Sequence, residues 1–132
     1  MGSNSAPASN RRGPIGQLGE QMAAAHCEKL GWVVLERNWR NRYGELDIIA
    51  ADGAKLVVVE VKTRSTDKFS DAAQAVTPAK LARMRRLTRM WLAAQERHWS
   101  GIRFDVIAVH LNLSAPPGGQ LVDLRHHRGV YA

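Results

Sequence analysis

The stretch Leu56-Val57-Val58-Val59-Glu60-Val61-Lys62-Thr63 has the β-branched composition of a strand buried on both faces. Two ionisable groups stand inside it. A desolvated charge is costly unless it is paired or ligating, so Glu60 and Lys62 need a reason to be there. Side chains alternate along a strand, which puts Glu60 and Lys62 on one face and Val57, Val59 and Val61 on the other. The preceding Gly44-Glu45-Leu46-Asp47-Ile48-Ile49-Ala50 repeats the design, with Glu45, Asp47 and Ile49 on one face and Leu46, Ile48 and Ala50 opposite. Asp52-Gly53 between them predicts a tight hairpin turn. With these two as the central turn residues, Glu45 faces Glu60 and Asp47 faces Val58. Asp47 and Glu60 then become diagonal neighbours on one face, on the order of 7–8 Å apart at their Cα atoms. Two carboxylates at that separation, with a lysine two residues on, form a candidate site for a divalent cation. A bulge would move the register by one residue and turn the acids to the other face.

At 132 residues the chain is long enough for one domain with a core of its own. No apolar run approaches the length of a membrane helix, and the polar N-terminal region does not resemble a signal peptide. A lone cysteine, Cys27, cannot form an internal disulfide, which fits a reducing cytoplasm. Lys and Arg outnumber Asp and Glu by 19 to 12, giving a net charge of +7 and a pI near 10.3. Arginine dominates the excess, and a basic surface around an acidic centre suits a polyanion handled through metal ions.

Residues 1–14 lack periodicity and are expected to form a disordered basic tail, leaving a single domain over 15–132. A helix is predicted over 15–30, with Ile15, Leu18, Met22 and Ala25 as one stripe. Glu20 shares another face with the small residues Ala23, Ala24 and Cys27, so it should point at protein or at a site. A strand follows over 32–39, then a turn at Asn41-Arg42-Tyr43-Gly44 and the hairpin. A polar loop follows over 64–71. Thr77-Pro78 marks the start of a second helix reaching about His98, with Leu81, Met84, Thr88, Trp91, Leu92 and Gln95 inward. Strands over 102–111 and 121–124, joined by a loop at Pro116-Pro117-Gly118-Gly119, complete an α/β chain: a mixed central sheet flanked by helices.

Asp47 followed by Glu60-x-Lys62 resembles the signature of restriction-endonuclease-like nucleases. Five motifs in order resemble the bacterial YraN family: Gly16-x-x-Gly19-Glu20, Arg42-x-Gly44-Glu45-Leu46-Asp47, Glu60-Val61-Lys62-Thr63-Arg64, Ala75-Val76-Thr77-Pro78-x-Lys80 and Arg103-Phe104-Asp105. That family is similar to archaeal Holliday-junction resolvases. The resemblance spans about residues 16–111. It implies a restriction-endonuclease-like fold with a Mg²⁺ or Mn²⁺ site made by Asp47, Glu60 and the backbone carbonyl of Val61. It also implies that Lys62 orients or deprotonates the attacking water and that Glu20 completes the metal shell. The chemistry is coherent on its own terms, since hard cations take carboxylate oxygens and phosphodiester hydrolysis needs a polarised phosphoryl oxygen.

Read without the family, Asp47 and Glu60 fit structural salt bridges with Lys62 or Arg42 inside an ordinary sheet as well as a site. Glu45 fits either a further ligand or a partner for Arg42. Arg42, Arg64, Lys80 and Arg83 are the candidate phosphate-binding cations, the last on a helix whose arginines also fit a solvated face. The expected function is metal-dependent hydrolysis of DNA, with branched DNA among its substrates. The rival is a DNA-binding module of a repair, recombination or uptake complex that does not cut. Symmetric cutting would need a homodimer, for which no interface stripe is legible.

Overall fold

The apolar run lies at the centre of a five-stranded sheet. In the computed structural model, which describes residues 5–65, 77–112 and 122–130 with side chains from residue 13 onward, the elements run α1 (Ser5–Lys29), β1 (Val33–Asn41), β2 (Gly44–Asp52), β3 (Lys55–Arg64), α2 (Pro78–Ala93), β4 (Gly101–Leu111) and β5 (Val122–His127). The strands lie in sequence order, antiparallel throughout except for β3 and β4, which run parallel. A parallel pair needs a crossover, and α2 is that crossover. The expected polar loop beyond Ser65, the Ala75-Val76 part of its motif and the Pro116–Gly119 loop lie outside the described residues. Among those described, no helix is long and apolar enough to cross a membrane.

Strand parity sorts the core into two layers. Val57, Val59, Val61, Ile107 and Val109 pack with Ala23, Ala24 and Cys27 of α1 on one face. Val58, Val106 and Ala108 pack with Leu81, Met84, Leu87 and Trp91 of α2 on the other. Three expectations are corrected. The hairpin turns on Gly53-Ala54, with Asp52 paired to Lys55 and Ile48 to Val59, so the register differs from the expected one. Both strands slip together, which keeps the alternation from Ile48 to Asp52, but it breaks at Asp47: Leu46, expected beside Ile48 and Ala50, packs with Ile49 in the α2-side layer. The second correction concerns α1. Ile15 and Leu18 are 37% and 39% exposed, and the face that meets the sheet is the small one, Gly19, Glu20, Ala23, Ala24 and Cys27. A Cβ on Gly19 would come within 2.0 Å of the Thr63 hydroxyl, so close approach selects size over apolarity here. Helical backbone also runs back to Ser5, through part of the expected tail, across a break at Gly13 just before Pro14. The third is the end of α2, which stops at Ala93 instead of near His98. Past it, Arg97 donates to the Gly53 carbonyl at 2.8 Å and lies 3.9 Å from the Trp99 ring, docking the segment on the hairpin turn.

Asp105 on β4 is completely buried and ties the C-terminal strand down. Its carboxylate accepts both Arg103 nitrogens at 2.8 and 2.9 Å, the His126 ring at 2.8 Å and the Gly129 amide at 2.9 Å. Burial pushes its pKa up, but these bonds outweigh it and hold the group at about 2. Its stabilisation is therefore complete above the ordinary 3.8 and is lost as pH falls towards 2. Asp105→Ala should cost about 3 kcal/mol at neutral pH by leaving Arg103 and His126 unpaired. Thermal melts between pH 2 and 7 should show a shallower acid slope in Asp105→Asn than in wild type; equal slopes would contradict this assignment. Nearby Cys27 is structural: burial, then Asp105 and Glu28, raises its thiol to about 11.

Candidate active site

The ladder between β2 and β3 ends at Ile48 and Val59. One residue further, Asp47 takes the place of a backbone partner, and its Oδ2 accepts the Val61 N–H at 2.8 Å in a buried setting. This bond holds the Asp47 carboxylate over the β3 backbone beside Glu60. Asp47 and Glu60 both line one cavity of about 550 Å³ beside the N-terminal half of α2, with Arg42, Tyr43, Glu45, Lys80 and Arg83 around it. Thr77 caps α2 by accepting the Lys80 amide at 3.1 Å, and this fixes where Lys80 projects. The Lys80 ammonium then meets Glu60 Oε2 at 2.5 Å.

Lys62 stands on the same strand face as Glu60. Burial first, then the neighbouring Lys80 and Arg64, lowers its proton affinity below that of an ordinary lysine, against the pull of Glu60 and Asp47. Arg64, the last residue of β3, is exposed and donates to the Thr63 carbonyl at 3.3 Å. Glu20 is only 6% exposed but lines a separate cavity with Gln17, Gln21, Arg37 and Asn38. The packing of Gly19 on Thr63 explains this placement, since Thr63 points to the α1 side of β3 and Lys62 to the other. Asp47 and Glu60 thus come together with Glu45, Arg42, Lys80 and Arg83. Lys62 feels the charges of Asp47, Glu60 and Lys80 from the strand face it shares with Glu60 but does not line the cavity, and Glu20 lines a different one. The pairing of Lys80 with Glu60 and the position of Tyr43 were not legible beforehand; the Tyr43-Gly44 turn next to the acids was their one signal.

Among the described residues, no group of three or more His, Cys, Asp or Glu side chains is placed to hold a metal. Two carboxylates at one cavity, one of them already drawing an ammonium, nonetheless suit a hard cation. Mg²⁺ characteristically takes one or two protein carboxylates and fills its shell with water and substrate phosphate. The donors present fit that habit and do not fit a closed structural site.

A five-stranded mixed sheet with helices on its two faces, carrying acids at the end of its central hairpin, defines a restriction-endonuclease-like α/β protein. The family described as "Uncharacterised protein family UPF0102" matches residues 19–109, and the chain belongs to it. This is the YraN family that the motifs resemble. The UPF0102 protein of Mycolicibacterium vanbaalenii is 51% identical over 119 residues, covering 90% of this chain and 94% of that protein. The relative from Mycolicibacterium smegmatis is 55% identical over 108 residues, covering 80% and 87%. The relative from Mycobacterium ulcerans is 48% identical over 118 residues, covering 88% and 93%.

Proposed function

We propose that this protein is a Mg²⁺- or Mn²⁺-dependent endonuclease that hydrolyses phosphodiester bonds of DNA, branched DNA included. The observation that carries this reading is Asp47 and Glu60 lining one cavity ringed by Arg42, Lys80 and Arg83. Acids alone would repel a phosphodiester, and cations alone would bind it without activating water. The combination suits both tasks. Asp47, Glu60 and the Val61 carbonyl would hold the metal, and Glu20 stays outside this set because it lines a different cavity. When bound, the ion supplies a polarised phosphoryl oxygen and a more acidic water.

The remaining work falls to the side chains. Lys62, with its weakened hold on a proton, is suited to take one from water or to steady charge developing on the phosphorus oxygens. Arg42 and Arg83 orient the phosphate from the cavity wall. Lys80 neutralises Glu60 while the cavity lacks substrate, and an entering phosphate offers the ammonium a second partner. The same ion pair is the one observation that favours the rival, a DNA-binding module that does not cut, because it satisfies Glu60 without a metal.

Incubation with linear, flapped and four-way-junction DNA in Mg²⁺, Mn²⁺ and EDTA separates the two. Cleavage with either metal and none in EDTA is expected, together with a rise in melting temperature on adding Mn²⁺. No cleavage of any form and no thermal shift would make the binding module the better account.

A further inference from the structure

Tyr43 is an aromatic residue 38% exposed at the lip of the carboxylate cavity. An exposed aromatic on a turn is usually mobile and of little consequence. This one is held from several sides. Asn41 Oδ1 accepts the Tyr43 amide at 2.8 Å, closing a side-chain turn that fixes the backbone, and Asn41 Nδ2 reaches Met90 Sδ on α2 at 3.4 Å. The next residue, Gly44, lies so close to α2 that a Cβ there would sit 3.1 Å from Leu87 Cδ1, and its φ of 146° disfavours any side chain. The ring itself is flanked by the Arg42 guanidinium at 4.9 Å and the Arg86 guanidinium at 4.4 Å, and Arg42 Nη2 donates to the Tyr43 hydroxyl at 2.7 Å.

The helix beneath adds to this. Over its sixteen residues α2 carries Lys80, Arg83, Arg85, Arg86 and Arg89 and no acid. A helix face serving only solubility would interleave opposite charges four residues apart. Arg83 lines the acidic cavity and Arg86 lies over the Tyr43 ring, and arginines beside a rigid aromatic match the chemistry of an unpaired nucleotide. The base offers a π face to the ring and the guanidinium planes, and the flanking phosphates meet the arginines. A paired base inside duplex DNA has no free face to offer.

We propose that Tyr43, braced by Arg42 and Arg86, is the stacking platform for an unpaired nucleotide of DNA, so that the site takes single-stranded segments and the ends of duplexes at gaps or branches in preference to continuous duplex. This rests on the nucleic-acid reading of the same cavity, but its test needs no cleavage. Binding is measured in EDTA at low salt, by anisotropy, for three DNAs of equal length: single-stranded, gapped by three nucleotides, and continuous duplex. A 2-aminopurine replaces one unpaired base in the gap, where stacking quenches its fluorescence.

Wild type should bind the first two DNAs more tightly than the duplex and quench the probe. Tyr43→Ala should lose about tenfold or more in affinity for single-stranded and gapped DNA, less than about twofold for duplex, and the quenching as well. Tyr43→Phe should retain the preference, since it keeps the ring and loses only the hydroxyl held by Arg42. Circular dichroism melts check that each variant is folded, as expected for a residue at a turn. An equal loss on all three DNAs, or no loss on any, overturns the stacking role while leaving the nuclease proposal standing. Failure of wild type to bind any DNA overturns both.

Discussion

Replacing Asp47 by asparagine should abolish metal-dependent cleavage while the protein stays folded and binds DNA as well as before or better. Loss of an outer-shell partner of a metal ligand alone costs about 10- to 100-fold in activity, so loss of a carboxylate ligand should exceed that range. The fold should tolerate the change because Asp47 has a second task that asparagine can perform. Its Oδ2 accepts the buried Val61 N–H at 2.8 Å, and an amide oxygen accepts the same bond. Binding should hold or tighten because a negative charge facing phosphate is gone. Asp47→Ala gives the contrast, since it also strands the Val61 amide and should lower stability by about 1–3 kcal/mol. The check is a nuclease assay beside melts with and without Mn²⁺ for wild type and both variants. If Asp47→Asn melts as low as Asp47→Ala and Mn²⁺ changes neither wild type nor variant, Asp47 is a structural residue and the metal reading fails.

Gly19→Ala should destabilise the protein strongly for the addition of a single methyl group. In an exposed helix interior the substitution would be expected to stabilise by about 0.5–1 kcal/mol, because alanine loses less backbone freedom. Here the new Cβ would lie 2.0 Å from Thr63 Oγ1 and 2.7–2.8 Å from the rest of that side chain. Overpacking of this kind costs about 1–3 kcal/mol, which exceeds the propensity gain and reverses its sign. At about 4 °C per kcal/mol the melting temperature should fall by on the order of 5–10 °C. Adding Thr63→Gly, which removes every atom in the clash, should recover part of the loss. An unchanged or raised melting temperature for Gly19→Ala would mean that α1 does not sit this close to β3.

Much of this architecture could be read from particular residues. The alternation along β3 set which of its side chains share a face, and the slip of the turn by one residue on each strand left that intact, whereas on β2 Leu46 departs from the expected face of Ile48 and Ala50. Thr77-Pro78 marked the start of α2 because a cap and a pre-set φ act locally. What escaped depends on distance through space. The stripe of Ile15 and Leu18 looked like the inner face of α1, yet hydrophobic periodicity does not know how near the sheet lies, and nearness required Gly19, Ala23 and Ala24 inside. Leu87, fully buried, was missing from the expected inner stripe of α2. The same helix was drawn too long because the pull of Gly53 on Arg97 comes from a turn 44 residues away. Asp105 had an evident partner in Arg103, two residues before it, but His126 and Gly129 join it from β5 and beyond, which no local pattern announces. Within the site, the acid pair was legible from spacing, and Lys80 as the occupant of Glu60 was not.

The parallel pairing of β3 with β4 also bears on how the chain is made. Every other strand pair in the sheet is antiparallel, whereas β3 and β4 run parallel on either side of α2, with Lys55 along Gly101 and Arg64 along His110. During synthesis the β1–β2–β3 meander is complete before residues 101–111 exist, and until then one edge of β3 is open. That edge belongs to the most β-branched stretch of the molecule, the kind that adds strands from other copies when left unpaired. Charges within an edge strand are what keep such edges from associating, and β3 carries Glu60 and Lys62. The two residues that disturb an otherwise apolar strand are therefore suited to guard the unfinished chain, and Glu60 also lines the finished cavity.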